Sequence, residues 1–294
     1  MHLRAAGTAF FGISLLLCPH LLRAQDGKSS LLTADGVVSD LSRDSSFALA
    51  IRRSLHSEGV LLWPGAPILT GRGDVNRYLA TLPADSVHLT WKPLGVQVAT
   101  DSTVGITWGI TINVPPSSSP APQVGSYIAA WRRNAGAWAI AGIVFSGTRL
   151  PLKPVPPGIA LHHLALPGKG IGADFIKADS AFAKLAADSG AAVAFERWAS
   201  PAAVVFGYAG LLVQGPQAIG RGVAGTEAWR WYPVAAGASA TGDLGWTAGE
   251  ATIAGRGAEP VYSKYLTVWT RLPNGSIRFL TDGGNARPKP AHRP

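Results

Sequence analysis

Near its C-terminal end the chain reads Tyr265-Leu-Thr-Val-Trp-Thr-Arg271, then Leu-Pro-Asn-Gly-Ser276, then Ile-Arg-Phe-Leu-Thr-Asp282. Two runs rich in β-branched and aromatic residues flank a Pro-Asn-Gly break. An Asn-Gly pair between such runs is a strong turn signal. The stretch therefore predicts a β-hairpin whose return strand ends in a carboxylate.

The first strand of this hairpin has two different faces. Because side chains alternate along a strand, two sets are expected on opposite faces: Tyr265, Thr267, Trp269 and Arg271 on one, Leu266 and Val268 on the other. The residues upstream, from about Ala178, are predicted to form the rest of one domain, and this hairpin closes its sheet.

A weaker copy of that domain precedes it, so the chain contains an internal repeat. A shift of about 144 positions aligns Asp35 with Asp179, and shifts of about 140 and 138 align the later strands. Further matched pairs are Trp91 and Trp231, Gly105 and Gly245, Tyr127 and Tyr265, and Trp131 and Trp269. The shift falls only at predicted loops, as expected for a duplicated domain.

Each copy begins with apolar residues at helical spacing, over 32–55 and about 175–193. Short helices are predicted at 73–82 and 216–222. The remainder reads as short strands, namely 60–63, 67–70, 87–92, 94–100, 104–114, 125–133 and 138–146 in copy one, and 203–207, 211–214, 226–232, 235–241, 245–254, 261–271 and 277–281 in copy two.

Five segments follow from this pattern. They are a signal peptide (1–24), a divergent first domain (30–147), a Pro/Gly-rich linker (148–173), a second domain (174–286) and a basic disordered tail (287–294). A second low-complexity stretch, residues 115–122, reads as a long hairpin loop within the first domain.

The N-terminus has the composition of a secretory signal, with Arg4, an apolar run and a cleavage point at Ala24. Export to the periplasm or outside the cell is therefore expected, and the apolar run is too short for a stable membrane span. A lipoprotein signal at Cys18 is the alternative, although Leu17 stands where a small residue is usual. Cys18 is the only cysteine, so the mature chain would have no disulfide and no thiolate ligand.

Composition narrows the classes of function. Of the chain, 47% is hydrophobic and 15% charged, which excludes a disordered protein. Loss of two arginines with the signal peptide lowers the formal net charge from +9 to +7. No basic helix with interleaved aromatic residues indicates nucleic-acid binding. The basic tail reads as solvated, with weak attachment to an acidic envelope surface as the alternative.

A long helix, a short helix and a strongly bent antiparallel sheet is the order found in nuclear transport factor 2-like proteins. Copy two resembles the SnoaL-like, ketosteroid isomerase-like branch, in particular an exported bacterial family of unknown function. The residues carrying this resemblance are Ala178-Asp179, Gly215-Pro216, Thr241-Gly-Asp-Leu-Gly-Trp-Thr-Ala-Gly249 and Asp282-Gly-Gly-Asn285. It implies an α+β fold of two consecutive cone-shaped barrels, and relatives include enzymes, binders and dimerisation modules.

The resemblance also implies a pocket between the long helix and the concave sheet face. Asp243 and Asp282 are the candidate general bases, with Tyr265 as a hydrogen-bond donor. The structural alternative is that Asp243 caps a turn and Asp282 binds turn amides at Gly283-Gly284. Copy one has Thr103 in place of Asp243, and Phe145-Ser146-Gly147 around the place of Asp282, so any chemistry belongs to copy two.

The repeated acids, Asp179 and Asp188 with Asp35 and Asp44, suggest a scaffold role at a helix cap or on its wet face. Pocket aromatics are also predicted, with core or interface packing as the alternative: Trp229, Trp231, Trp246, Trp269 and Tyr265. His56 and His88 are isolated in the sequence, and the adjacent pair His162-His163 lies in the linker, so no metal site is predicted. No cofactor is predicted either.

Three functions remain open. One is non-catalytic binding of a small apolar or aromatic molecule in the second domain. The others are acid–base catalysis (isomerase, dehydratase or cyclase type) and a pure interaction module whose pockets are filled by side chains. In each case the two domains are expected to form an intramolecular pseudo-dimer.

Overall fold

The computed structural model describes residues 19–82, 87, 89–113, 123–147, 171–206, 212–225, 228–254 and 259–290. The first repeat comprises, in chain order, α1 (Pro19–Asp44), α2 (Phe47–Ser54), β1 (Leu55–Leu62), β2 (Leu69–Thr70), α3 (Gly71–Leu79), β3 (Leu89–Val98), β4 (Val104–Asn113), β5 (Gln123–Asn134) and β6 (Ala137–Ser146). The second comprises α4 (Ile171–Ser189), α5 (Ala191–Trp198), β7 (Ala199–Phe206), β8 (Leu212–Gln214), α6 (Pro216–Gly222), β9 (Ala228–Ala238), β10 (Leu244–Ala254), β11 (Val261–Arg271) and β12 (Ile277–Ala286).

The expected α+β architecture is confirmed in both repeats. Each has one six-stranded sheet, with strand orders β2-β1-β6-β5-β4-β3 and β8-β7-β12-β11-β10-β9. Two details of the expectation were wrong. The sheets are mixed, because β1 pairs with β6 and β7 with β12 in parallel. They are also open, since neither sheet has an edge-to-edge closing pair among the described strands.

The helix predicted at the start of each repeat is two helices. In the first repeat the chain turns at Ser46, whose hydroxyl accepts a hydrogen bond from Leu49 N at 3.1 Å and so caps α2. In the second repeat the break falls at Gly190, which has φ +90°. A positive φ is readily adopted by glycine, so Gly190 permits the turn between α4 and α5. Helical spacing continues across both breaks, which is why the pattern alone did not show them.

The hairpin of β11 and β12 is confirmed with its predicted turn. Gly275 has φ +82°, and Leu272 N donates to Ser276 O at 2.8 Å across the turn. The faces of β11 are also as predicted. Trp269 packs beneath the helices, whereas Leu266 and Val268 face the other repeat.

Three apolar clusters hold the fold together. One lies under α1 and α2, a second lies under α4 and α5, and a third is shared between the convex faces of the two sheets. The shared cluster contains Ile106 and Ile128 from the first repeat, and Trp246 and Leu266 from the second. The two repeats thus have separate cores and one common apolar interface.

The predicted segment boundaries fall partly outside the described residues. This applies to residues 1–18 of the expected signal, to 148–170 of the linker and to 291–294 of the tail. Helix α1 begins at Pro19 and runs through the expected cleavage point. Arg287, the first residue of the expected tail, contacts the second repeat. Its side chain donates to Ser263 O at 3.0 Å and lies 3.5 Å from the Glu250 carboxylate.

Candidate functional site

The second repeat contains a cavity of about 320 Å³ between its helices and the concave face of its sheet. Helices α4 and α5 contribute Phe182 and Phe195, and strands β9 to β12 contribute the rest. The lining residues are Phe182, Phe195, Trp229, Trp231, Ala251, Ile253, Val261, Ser263, Lys264, Tyr265, Thr267, Asp282, Gly284, Asn285 and Ala286. The wall is mainly apolar, with a few polar groups from β11 and β12.

Four aromatic rings form one side of this cavity. Phe182 meets Trp231 edge-on with ring centroids 4.7 Å apart, and Phe195 meets Trp229 in the same way at 5.8 Å. The two indoles are nearly perpendicular, at 84° and 6.5 Å. Edge-to-face contacts of this kind hold the rings in fixed orientations.

Asp282 is the carboxylate of the cavity, and β12 places it opposite Thr267 on β11. The Thr267 hydroxyl donates to Asp282 Oδ2 at 2.5 Å. Oδ1 has no hydrogen-bond partner among the described residues. Burial raises the pKa of Asp282 to about 7; the Thr267 bond opposes this rise, and the charge of Asp179 adds to it. The group can therefore exchange a proton near neutral pH.

Beneath the cavity lies a second carboxylate, Asp179, which is fully buried. Trp231 Nε1 donates to its Oδ1 at 2.9 Å, and the Tyr265 hydroxyl donates to its Oδ2 at 3.0 Å. Burial raises the pKa of Asp179 to about 6, although hydrogen bonds from Thr247, Trp231 and Tyr265 act to lower it. The expectation that Asp179 caps the helix or lies on its wet face was wrong, because its neighbours on the sheet are polar donors that sequence spacing does not reveal.

The first repeat contains the same arrangement around Asp35, which is also fully buried. The Tyr127 hydroxyl donates to Asp35 at 2.6 Å, Trp91 Nε1 at 3.2 Å and the Thr107 hydroxyl at 3.3 Å. In both repeats a second tryptophan donates to the threonine, Trp131 to Thr107 at 2.9 Å and Trp269 to Thr247 at 2.8 Å. Because the repeat without the cavity has this network too, it is a scaffold that fixes the long helix on the sheet.

The other repeated acids, Asp44 and Asp188, do lie on the wet face of their helices. Lys184 pairs with Asp188 at 2.6 Å and Arg43 with Asp44 at 2.7 Å, with both carboxylates exposed.

The volume equivalent to the cavity is filled in the first repeat. By strand register, Tyr265 pairs with Gly284 and Tyr127 pairs with Phe145, so Phe145 is the counterpart of Gly284. The counterpart of Asp282 is Ile143, two residues before Phe145. Phe145 is fully buried and packs against Phe47, Trp63 and Trp91.

The residues predicted as pocket aromatics divide into two groups. Trp229, Trp231 and Tyr265 line the cavity. Trp246 belongs to the interface between the sheets, and Trp269 is fully buried below the cavity floor. Both of these tryptophans pack in cores, which was the structural alternative.

Asp243 lies at the contact between the repeats, away from the cavity. It accepts hydrogen bonds from Thr100 N at 2.8 Å, the Thr100 hydroxyl at 2.5 Å and the Thr241 hydroxyl at 2.6 Å. Asp101 reciprocates by accepting from Thr241 N at 3.1 Å. Burial would raise the pKa of Asp243, but the bonds from Thr100, Thr241 and Ser239 outweigh it and lower the pKa. Of the two candidate bases, only Asp282 lies at the cavity.

Sequence reasoning missed one charged residue of the cavity lining, Lys264. It is fully buried, and its ammonium group donates to Trp63 O at 2.7 Å and Ala286 O at 2.8 Å. Burial and, secondarily, the charge of Arg287 lower its pKa well below the usual value. Lys264 lies on the same face of β11 as Leu266, where an apolar side chain is expected. Nothing in the neighbouring sequence therefore indicated that a charged residue at this position would line a cavity.

Asn285 connects the cavity to the first repeat. Its side-chain amide donates to Leu62 O at 2.7 Å and to Phe145 O at 2.8 Å. Together with Lys264 it attaches the rim of the cavity to backbone carbonyls of the other repeat.

Within the described residues, no group of three or more His, Cys, Asp or Glu side chains is arranged to hold a metal ion. None of the described helices is both long and apolar enough to cross a membrane.

The fold and the cavity together define a tandem α+β protein with an aromatic-lined cavity in its second repeat. Solved structures that it is similar to include nuclear transport factor 2-like and ketosteroid isomerase-like proteins. One is a nuclear transport factor 2-like protein with a cystatin-like fold from Novosphingobium aromaticivorans, at 14% identity, covering 42% of this chain and 84% of that chain, with TM-score 0.37. Another is a ketosteroid isomerase-like protein from Erwinia carotovora atroseptica, at 18% identity over 44% of this chain and 97% of that chain, with TM-score 0.32.

A third is a nuclear transport factor 2-like protein of unknown function from Pseudomonas putida, at 12% identity over 44% of this chain and 98% of that chain, with TM-score 0.33. No protein-family model and no curated protein matches the chain. Similarity at this level says nothing about activity.

Proposed function

We propose that this protein binds a small, largely apolar molecule in the cavity of its second repeat. The first repeat acts as its fixed partner in an intramolecular pseudo-dimer. The observation that carries the proposal is the contrast between equivalent positions. Gly284 and Asp282 border an open cavity, whereas Phe145 and Ile143 fill the corresponding space.

The cavity has the size and chemistry of a ligand site. Its volume of about 320 Å³ falls at the lower end of the roughly 300–1,000 Å³ typical of small-molecule pockets. Such sites combine apolar and aromatic walls with a few polar groups that orient the ligand. Here the walls are the four rings, and the orienting group is the Asp282 carboxyl.

Thermal-shift and intrinsic tryptophan fluorescence screens of the full chain against steroids, polyketides and aromatic acids test the proposal. Because Trp229 and Trp231 line the cavity, a bound ligand should change their emission. Ala251→Phe fills the cavity and should abolish that response. Leu94→Phe adds the same ring at an exposed position of β3 and should not. A response that Ala251→Phe leaves unchanged would place binding elsewhere.

Acid–base catalysis is the second candidate, supported by the near-neutral pKa of Asp282 and its unpartnered oxygen. The Tyr265 hydroxyl already donates to Asp179, so Asp282 is the group offered to a substrate. Incubation with ketones in D2O, followed by NMR, tests for exchange of protons next to the carbonyl. If the protein exchanges these protons and Asp282→Asn abolishes the exchange, catalysis is supported. If no ketone that binds shows exchange, the protein binds its ligand without catalysis.

We further propose that the protein is exported, on the composition of residues 1–24. Expression of the full chain in a bacterium and intact-mass measurement of the product test this. A mature chain that begins at Gln25 is expected. An acylated product that begins at Cys18 would instead indicate the lipoprotein alternative.

A further inference from the structure

The charge of the cavity suggests what kind of apolar molecule it takes. Resting on the proposed function, we infer that the ligand carries a cationic nitrogen, held against the Asp282 carboxylate with its apolar body among the aromatic rings. The class is that of aryl or alkyl amines and quaternary ammonium compounds.

The aromatic side of the cavity suits a cation. The rings of Trp229 and Trp231 stand at 84° to each other, and Phe195 lies within 6.3 Å of both, centroid to centroid. Perpendicular indoles on a cavity wall resemble the aromatic cages that bind ammonium groups through the negative potential of ring faces. Tryptophan gives the strongest such interaction among the aromatic residues.

The ionisable groups around the cavity also favour a cation. Asp282 lines it, Asp179 lies below it, and the Tyr265 hydroxyl donates to Asp179. Lys264 contributes to the lining, but its ammonium group is occupied by the carbonyls of Trp63 and Ala286.

The charged groups that shift the pKa of Lys264 are Arg287 and Glu250, and Asp282 is not among them. None of the other described lining residues is basic. An anionic ligand would therefore approach two acids, whereas a cation would neutralise Asp282.

The unpartnered oxygen of Asp282 gives the cation a direct contact. Thr267 occupies Oδ2, and Oδ1 has no partner among the described residues. A buried carboxylate with a single hydrogen bond is costly, so burial raises the pKa of Asp282 to about 7 and the free protein keeps the group protonated below that pH. A bound cation stabilises the ionised form. Cation affinity should consequently rise with pH through this range, whereas the affinity of a neutral ligand should not.

The test uses two isosteric probes on the full chain, benzyltrimethylammonium and neopentylbenzene, which differ by N⁺ in place of carbon. Tryptophan fluorescence titration at pH 5.5 and pH 8.5 gives the dissociation constants. The expected result is at least about tenfold tighter binding of the cation at pH 8.5, which is the effect of about 1.4 kcal/mol. That preference should shrink at pH 5.5.

Two variants and one control complete the experiment. Asp282→Asn should remove the preference for the cation while neopentylbenzene still binds. Thr267→Val keeps the carboxylate but removes its hydrogen bond, so the rise in cation affinity should move to higher pH. Asp188→Asn removes an exposed carboxylate of α4 and should behave as the unmodified protein.

The possible results separate this inference from the proposed function. Binding of neopentylbenzene without any preference for the cation would overturn the inference and leave the proposed function standing. A cation preference that survives in Asp282→Asn would overturn the role of that carboxylate. Failure of both probes to bind, together with no response to the wider ligand screen, would overturn both proposals.

Discussion

Phe145 and Gly284 occupy the same position in the two sheets, each opposite the tyrosine that donates to the buried aspartate of its repeat. The Phe145 ring fills the space under the helices of the first repeat. Gly284 has no side chain, so the equivalent space in the second repeat stays open. Gly284 also has little room for substitution, because a Cβ there would lie 2.5 Å from Lys264 O. The difference between a filled and an open repeat is therefore built into backbone geometry as well as side-chain size.

Removal of the filling ring should destabilise the first repeat. Phe145→Ala leaves a cavity among Phe47, Trp63 and Trp91 and should lower the free energy of unfolding by about 3–5 kcal/mol. Urea unfolding monitored by circular dichroism measures this. Val124→Ala, at a half-exposed position of β5, is the control and should change it by less than about 0.5 kcal/mol. A loss below about 1 kcal/mol for Phe145→Ala would contradict tight packing there.

The hydrogen-bond networks around Asp35 and Asp179 should stabilise the fold about as much as the packing of Phe145 does. Asp35→Ala and Asp179→Ala each leave tyrosine, tryptophan and threonine donors without their acceptor, so each should cost at least about 2–4 kcal/mol. Of the two variants, only Asp179→Ala should also alter the change in tryptophan fluorescence that a bound ligand causes, since Trp231 and Tyr265 line the cavity. Equal loss of ligand response in Asp35→Ala would show that the effect is a general loss of structure.

Asp282 should make the protein less stable as pH rises. Its pKa is about 7 in the folded chain and 3.8 in the unfolded chain, so between these values the folded state holds the extra proton. Stability from this group is thus greatest below pH 4, falls through the interval and is lowest above pH 7.

Asp282→Asn removes the titration and should raise unfolding free energy at pH 8.5 by about 1–3 kcal/mol relative to the unmodified protein. The difference between the two proteins should vanish near pH 4. Chemical unfolding at both pH values checks the sign. A variant that is less stable at pH 8.5 would show that the carboxylate is stabilised in a way the geometry does not reveal.

Asp243 should matter for the junction of the repeats and not for the cavity. Asp243→Ala removes the acceptor for Thr100 N, the Thr100 hydroxyl and the Thr241 hydroxyl and should cost about 1–3 kcal/mol. Calorimetry should show a lower Tm, while the dissociation constant of a cavity ligand stays within about twofold. A large loss of ligand affinity with an unchanged Tm would instead indicate that Asp243 contributes to the ligand site.

The β11–β12 hairpin and the α+β class could be predicted from the amino-acid sequence because they follow from local signals, and the duplication could be predicted from ordered matches between the two halves. Alternation along a strand, Asn-Gly turn chemistry and helical spacing act over a few residues. The alternation of Tyr265 and Leu266 was enough to place one on the cavity side and the other at the interface.

Which acid lies at the cavity, and which repeat contains that cavity, depend on contacts that form only in the folded chain. The sequence predicts Asp179 as a helix-surface acid, but in the fold it accepts hydrogen bonds from Trp231 and Tyr265 on distant strands. The sequence predicts Asp243 as a cavity base, but in the fold it accepts a hydrogen bond from Thr100 across the interface between the repeats. The strand register that makes Gly284 the counterpart of Phe145 comes from pairing between whole strands. Burial, pKa and cavity volume depend on contacts between residues far apart in the chain, and local sequence patterns do not contain that information.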